Sequence, residues 1–189
     1  TNASGETSTS LDLRANDAFE HHLARCRSVG ALASEENDDV RSFDRLPGSD
    51  QFRVNFDPCD GTSVSKTNGT IGSIFGIWKI TGKSGWRKLQ LGRAQVCSGY
   101  VVYGPATEFV ITTGNSVARF ILHPATRQYV LIDPHVTMPP RGKCYSINAA
   151  NEDGFPEPYR RWMKGLQARG YGLRYIGSLI GDFHRGLLE

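Results

Sequence analysis

Apolar residues near the start of the chain recur at the spacing of a helix. Phe19, Leu23 and Cys26 follow at intervals of four and three residues, which places their side chains on one helical face. We therefore predict a helix over about 12–27, stopped by Gly30. Two more helices are predicted closer to the end of the chain, over 156–169 and 178–188.

Short apolar or alternating runs between these helices are typical of strands. Residues 31–33 form an apolar run, and residues 52–56 alternate apolar with polar side chains. The second run leads into residues 57–61, where a proline and a glycine predict a tight turn, and the charged segment 37–50 predicts a loop. The other predicted strands cover 71–80, 108–113, 116–122 and 128–132. This order of elements favours a layered α/β or α+β fold with many strands.

Composition and charge exclude some functions without choosing one. The 189 residues are 39% hydrophobic and 22% charged, as expected for a globular protein with a core. The net charge of +3 comes without the clustered basic residues of a nucleic-acid or membrane surface, so neither partner is expected. The four cysteines contain no CxxC pair, which favours reduced thiols in an intracellular or organellar protein. Both ends of the chain read as cuts within a longer protein.

Acidic residues stand where predicted strands end or a predicted helix begins. They form three groups: Asp12; Glu35 with Glu36; and Asp57 with Asp60. Carboxylates gathered at strand ends suit Mg²⁺, which prefers hard oxygen ligands and commonly shares them with a substrate phosphate. Two such ions can stabilise both the attacking and the leaving oxygen of an in-line displacement.

The predicted turn after residue 56 combines acids with an anion-binding backbone. Asp57 closes the strand, Pro58 stiffens the turn, and Asp60 is expected to come round to the same side. The carbonyl of Cys59 can add an oxygen ligand, and the Gly-Thr-Ser segment 61–63 presents backbone N–H groups. Taken singly, such an acid pair is more often an exposed turn, and Ser-Glu-Glu is more often a helix cap. Together, these groups indicate a phosphate site with bound metal.

These residues belong to a set of blocks that resembles a known family. Residues 56–63, Phe-Asp-Pro-Cys-Asp-Gly-Thr-Ser, resemble the metal-binding signature of the lithium-sensitive phosphatase superfamily, in its fructose- and sedoheptulose-bisphosphatase branch. The other matching blocks, in the family's order, are 11–12, 34–36, 72–77, 99–104, 142–148 and 174–185. The resemblance implies a sugar phosphatase fold of alternating helix and sheet layers, incomplete in this chain. It also implies a metal- and phosphate-binding N-terminal domain over 1–135 and the start of a sugar-binding C-terminal domain over 136–189.

The resemblance assigns a role to each acidic position. It implies that Glu35, Asp57, Asp60 and the carbonyl of Cys59 are metal ligands. The catalytic set comprises Asp12 and Glu36, which would position and deprotonate the attacking water, together with Glu35. Glu6 occupies the place of the family's aspartate on a mobile catalytic loop.

Further positions correspond to the family's substrate contacts. The backbone of Gly61, Thr62 and Ser63 is expected to hold the phosphate that is cleaved. Asn148 and Tyr175 are expected to contact the sugar and its distal phosphate. Arg174 resembles an arginine that reaches into a neighbouring subunit's site, which implies a homo-oligomer.

The implied activity is Mg²⁺-dependent hydrolysis of the 1-phosphate of fructose 1,6-bisphosphate, with Mn²⁺ as a possible substitute ion. This places the protein in carbohydrate metabolism, in gluconeogenesis or the Calvin cycle, in the cytoplasm or the chloroplast.

Two alternatives stay open. Val64 and Trp78 resemble the sedoheptulose-1,7-bisphosphatase branch, so that substrate or a dual specificity is possible. The family also continues beyond residue 189 with further ligands, so a non-catalytic fragment with an assembly role is the other alternative.

Overall fold

The computed structural model describes residues 5, 7–43, 50–82, 85–87 and 90–189. Within them the α-helices are α1 (Ser10–Arg25), α2 (Thr62–Ser65), α3 (Glu157–Ala168) and α4 (Leu179–Leu188). The strands are β1 (Val29–Ser34), β2 (Arg41–Ser42), β3 (Phe52–Asp60), β4 (Ile71–Lys79), β5 (Cys97–Tyr103), β6 (Thr107–Thr112), β7 (Val117–Leu122), β8 (Tyr129–Asp133), β9 (Cys144–Tyr145) and β10 (Gly172–Leu173). One eight-stranded sheet has the order β2-β1-β3-β4-β5-β6-β7-β8, and β10 pairs with β9 in a second sheet. Glu6 and residues 44–49 of the predicted loop lie outside the described residues.

Helix α1 begins at a capped N-terminus, slightly ahead of the predicted start. The Thr9 side chain accepts hydrogen bonds from the N–H groups of Leu11 and Asp12, while the Asp12 carboxylate accepts one from the Thr9 N–H at 2.6 Å. Phe19 packs against the core residues of β1 and β3, as its spacing predicted. Gly30 does not stop the helix, which was a wrong prediction. It lies buried inside β1, where a Cβ would approach neighbouring side chains to 3.0 Å.

Strand β3 continues beyond the point where a tight turn was predicted. Asp57 lies opposite Ile74 of β4 and Asp60 lies opposite Gly72, so β3 carries one extra residue between them, a β-bulge. Pro58 has no N–H to donate and falls within this irregular stretch, where the loss costs little. The turn comes after the bulge, at Gly61, whose φ of 87° is in the region that favours glycine.

Helices α1 and α4 cover opposite faces of the large sheet. Phe56 and its cross-strand partner Phe75 face α1, whereas Ile74 and Tyr100 face α4 and belong to the core cluster of Ile180. The strands predicted over 71–80, 108–113, 116–122 and 128–132 are observed as β4, β6, β7 and β8. Strand β5, in which Gly99 precedes the apolar residues 100–103, was not predicted.

The end of the chain forms a smaller unit. Met163 and Leu166 of α3 pack against Tyr145 of β9, and β9 runs parallel to β10. Helices α3 and α4 agree with the helices predicted over 156–169 and 178–188. In the part of the chain that the structure describes, no helix has both the length and the apolar character needed to cross a membrane.

Candidate active site

Two parallel strands bring Glu35 and Asp57 together. Ser34 at the end of β1 lies opposite Phe56 of β3, and the Glu35 N–H donates to the Phe56 carbonyl at 3.0 Å. Because parallel strands end at the same edge of a sheet, the next residues on both strands meet there. The two carboxyl groups share a side-chain hydrogen bond. Burial, opposed by a hydrogen bond from the Cys59 N–H and reinforced by the charges of Glu35 and Asp60, raises the pKa of Asp57 to about 7.

The bulge in β3 turns Asp60 to the same face as Asp57. In a regular strand, residues three apart point to opposite faces, but cross-strand partners share a face. Asp57 and Asp60 oppose Ile74 and Gly72, which are alternate residues of β4, so both aspartates lie on the α4 face. The same-side placement that the sequence predicted is therefore achieved, although by a bulge rather than by a tight turn.

Asp12 and Glu36 approach the same strand end from the α1 side. Asp12 is 3% exposed and held by its capping bond, and the Ser8 hydroxyl donates to Glu36 Oε2 at 2.5 Å. The pKa of the Cys59 thiol reflects the acids that lie around it. This pKa is raised to about 11, first by burial and then by the negative charges of Asp12, Asp57, Asp60 and Glu36. The predicted catalytic acids and metal ligands thus converge around the end of β3.

The segment 61–63 opens the one-turn helix α2. Gly61 is the residue before the helix, and the Val64 N–H donates to its carbonyl at 3.0 Å. The N–H groups that precede Val64 belong to the first turn, where a helix offers them no acceptor of its own. Thr62 and Ser63 therefore lie beside Asp60 with backbone donors of the kind that anions bind.

Asn148, Arg174 and Tyr175 follow the carboxyl ends of the parallel strands β9 and β10. The Asn148 side chain accepts a hydrogen bond from the Ala150 N–H at 3.2 Å and so caps a short 3₁₀ helix. The Arg174 N–H donates to the Tyr145 carbonyl at 2.9 Å, while the side chains of Arg174 and Tyr175 are exposed. Three residues beyond Tyr175, the chain reaches Ser178, whose hydroxyl donates to Asp60 Oδ2 at 2.9 Å. This contact connects the predicted sugar-binding segment to the acidic cluster.

Ser178 is the residue of this site that sequence reasoning missed. It stands inside the matching block 174–185, and a serine ahead of a predicted helix is a recognised N-cap signal. Nothing in the local sequence pairs it with a residue more than a hundred positions earlier, because the bond depends on how α4 packs on the sheet.

The donors fit a hard divalent cation. Within the described residues, no group of three or more His, Cys, Asp or Glu side chains stands ready in a metal-binding arrangement. Carboxylate oxygens are nevertheless the ligands that Mg²⁺ and Mn²⁺ prefer. Burial and then the neighbouring acids raise the pKa of Asp57, and a cation among the carboxylates would favour its ionised form.

A cavity of about 740 Å³ extends from these acids between the sheet and α4. Glu35 and Asp57 line one part of it, and apolar residues of β4, β5, β6 and α4 line the rest, among them Ile74, Tyr100 and Phe183. Glu35 and Asp57 therefore lie at a concave surface, as a substrate site requires, whereas Asp12, Glu36 and Asp60 do not line this cavity.

Known proteins share this architecture and much of this sequence. Models of the fructose-1,6-bisphosphatase N-terminal and C-terminal domains match residues 1–134 and 138–189. The holo-form structure of Leishmania major fructose-1,6-bisphosphatase is 33% identical with a TM-score of 0.90, over 99% of this chain and 61% of the Leishmania chain. The T-state structure is 30% identical with a TM-score of 0.85, over 98% of this chain and 63% of that one. The resemblance inferred from sequence and the predicted fold class are confirmed: this chain belongs to the fructose-1,6-bisphosphatase family.

Proposed function

We propose that this chain carries the catalytic centre of a metal-dependent sugar bisphosphatase, a phosphoric monoester hydrolase. Its reaction would release the 1-phosphate of fructose 1,6-bisphosphate as inorganic phosphate and leave fructose 6-phosphate. One observation carries the proposal. Glu35, Asp57 and Asp60 meet at one edge of the sheet, directly before the Gly61 turn and its backbone donors. The name of the similar Leishmania structures, fructose-1,6-bisphosphatase, supports this substrate.

Each acid has a role that its position supports. Glu35, Asp57, Asp60 and the Cys59 carbonyl would hold Mg²⁺ or Mn²⁺. Such an ion supplies positive charge that stabilises the phosphoryl oxygens and lowers the pKa of water. Asp12 and Glu36 would orient the attacking water and accept its proton, since each carboxylate already has one oxygen fixed by a donor on the chain.

The backbone and the C-terminal segment would bind the rest of the substrate. The N–H groups of residues 61–63 would donate to the oxygens of the phosphate as charge develops on them. Asn148 and Tyr175 would contact the sugar and the distal phosphate from the ends of β9 and β10. The site would thus lie between the two domains that we place at 1–135 and 136–189.

We also infer that the active form is a homo-oligomer. The guanidinium of Arg174 is exposed and, among the described residues, its hydrogen bond is to the neighbouring carbonyl of Leu173 at 3.0 Å. It is therefore available to a second subunit, as the family resemblance implies.

The chain spans 61% of the holo-form Leishmania chain. The second candidate function is a role in assembly, without catalysis of its own. Sedoheptulose 1,7-bisphosphate remains the alternative substrate, on the grounds of Val64 and Trp78.

Phosphate release separates these candidates. The 189-residue chain should release phosphate from fructose 1,6-bisphosphate with Mg²⁺ and lose that activity in EDTA. Asp57→Ala should abolish release, whereas Asp50→Ala, which removes an exposed aspartate paired with Lys79, should not. Faster release from sedoheptulose 1,7-bisphosphate would reassign the substrate. A folded chain that releases phosphate from neither substrate would overturn the catalytic proposal for this chain and favour the assembly role.

A further inference from the structure

The N-terminus of α4 lies directly on the carboxylate of Asp60. The Ser178 hydroxyl donates to Asp60 Oδ2 at 2.9 Å, and the Ile180 N–H donates to the same oxygen at 2.7 Å. The Ile180 bond is near the short end of the normal range for N–H···O bonds, and the Ser178 bond lies within the normal range for O–H···O bonds. The residues involved are separated by more than a hundred positions, and they belong to the segments that match the two different domains.

The approach of α4 to the sheet at this point is close enough to need glycine. A Cβ on Gly61 would lie 2.7 Å from both Cβ and Oγ of Ser178, and a Cβ on Gly72 would lie 2.8 Å from Ile180 Cγ2. Ser178 itself is 2% exposed. The contact is therefore enclosed on all sides, and the serine has little freedom to choose another partner.

Both hydrogen bonds go to one oxygen of the carboxylate. Among the described residues, no hydrogen bond to Asp60 Oδ1 occurs, so that oxygen is left for a ligand on the face that Asp57 shares. Groups that hydrogen-bond the ligands of a metal fix their orientation and change metal affinity by about 10- to 100-fold.

We propose that Ser178 is a positioning residue for the metal site, which holds Asp60 through Oδ2 so that Oδ1 faces the cation. This inference rests on the proposed function, because it assigns Asp60 to a metal. It means that the C-terminal segment completes the metal site of the N-terminal segment, in addition to carrying sugar contacts.

Ser178 has two roles that substitution can separate. As the N-cap of α4, its oxygen accepts a hydrogen bond from the Gly181 N–H at 3.4 Å, and as a donor it holds Asp60. Ser178→Ala loses both. Ser178→Asp retains an N-cap acceptor but cannot donate to Asp60 when ionised, and Ser178→Thr retains the donor and the acceptor.

The experiment is Mn²⁺ binding to the folded chain, measured by calorimetry without substrate. Ser178→Ala and Ser178→Asp should raise the Mn²⁺ dissociation constant by about tenfold or more, and Ser178→Thr should restore most of the affinity. Leu187→Ala is the control for stability, since Leu187 is a core residue of α4 away from Asp60. It should lower the melting temperature and leave the dissociation constant unchanged.

A double-mutant cycle tests whether Ser178 acts through Asp60. In an Asp60→Asn background, Ser178→Ala should have little further effect on Mn²⁺ affinity. Wild-type affinity in Ser178→Ala, an equal loss in Leu187→Ala, or an undiminished effect in the Asp60→Asn background would each overturn the inference and leave the proposed function standing. A wild-type chain that binds no Mn²⁺ would overturn both.

Discussion

Two groups of charged residues lie on the large sheet, and they differ in whether basic residues accompany the acids. The first, which we call the acidic end, consists of Glu35, Asp57 and Asp60. Among the described residues, no lysine or arginine forms an ion pair with Asp57 or Asp60, and the pKa of Asp57 is raised to about 7 by burial and by the neighbouring acids. Within the described part of the chain, Asp57 and Asp60 therefore form a carboxylate pair with no ion pair to a basic residue.

The second group, which we call the charge cluster, contains an acid with an arginine and a histidine beside it. Glu108 Oε2 lies 3.7 Å from Arg119 Nη1 and 3.4 Å from His184 Nε2, and the Tyr100 hydroxyl lies 2.9 Å from His184 Nδ1. Burial lowers the pKa of His184, with Glu108 opposing that effect and Arg119 adding to it. This cluster joins α4 to β5, β6 and β7 without any group from outside.

This difference in charge balance distinguishes the acidic end, as a binding site, from the charge cluster, as a structural network. In a partly buried cluster of opposite charges, removal of one member leaves the others without a partner, which destabilises the fold. An unbalanced cluster of carboxylates destabilises the chain until a cation binds, so the same removal should stabilise the empty chain and abolish its function. The predictions below follow from this contrast.

The largest effect is expected at the acidic end. Asp57→Asn should lower kcat/KM for fructose 1,6-bisphosphate by about a thousandfold, since it removes the charge that would hold the cation. The same variant should melt at a higher temperature than the wild type in EDTA at neutral pH, because one opposed carboxylate is gone. Phosphate release and calorimetry check the two parts. A lower melting temperature in EDTA would contradict the view that Asp57 is strained by its neighbours.

The charge cluster should respond in the opposite way. Glu108→Gln should lower the free energy of unfolding by about 1–3 kcal/mol, because the partly buried Arg119 loses its counter-charge and His184 loses a charged neighbour. Denaturant unfolding measures this effect, with Glu157→Gln as a control at an exposed ion pair of α3. Equal losses in the two variants would remove the distinction between the cluster and an ordinary surface pair.

The pH dependence of stability should have opposite signs at the two groups. An acid whose pKa rises on folding binds its proton more tightly in the folded state, so folded Asp57 carries more protons than unfolded Asp57 between pH 3.8 and about 7. Its contribution to stability in EDTA should therefore fall as the pH rises through this window, and saturating Mg²⁺ should remove the fall. Comparison of wild type with Asp57→Asn from pH 4 to 8 isolates this contribution.

The smallest effect is expected from His184. Its folded pKa is lowered, so the unfolded chain binds the proton more readily, and stability should be lost as the pH falls below the unfolded value of 6.5. His184→Asn should reduce this acid-side loss between pH 6.5 and 5 in thermal unfolding experiments. An unchanged slope in the variant would show that other groups cause the loss.

Much of the site could be predicted from sequence because its residues belong to local sequence motifs. The acids at 35, 36, 57 and 60 follow strands whose apolar patterns are plain, and the glycine at 61 marks the turn. The resemblance of the 56–63 block to a family signature gave these residues roles that their spacing alone left open between a metal site and an exposed turn. The structure brings them together at one end of the sheet.

Other structural features could not be predicted from local sequence patterns. The bulge in β3 depends on how that strand pairs with β4, and a proline and a glycine close together suggested a turn instead. Strand β5 was also missed, and a Cβ at its Gly99 would lie 2.6 Å from the Val110 carbonyl. Here the requirement for glycine comes from a neighbouring strand.

The sequence by itself determined most of the longer helices and strands, the family and the identity of the acids, because these depend on side-chain type and on short-range periodicity. Only the tertiary structure decided that Asp57 and Asp60 share a face and that α4 supplies Ser178 and the Ile180 N–H to Asp60. The physical reason is that strand register and helix docking join residues far apart in the chain. The free energy of these long-range contacts depends on burial and packing, which no local segment of the sequence specifies.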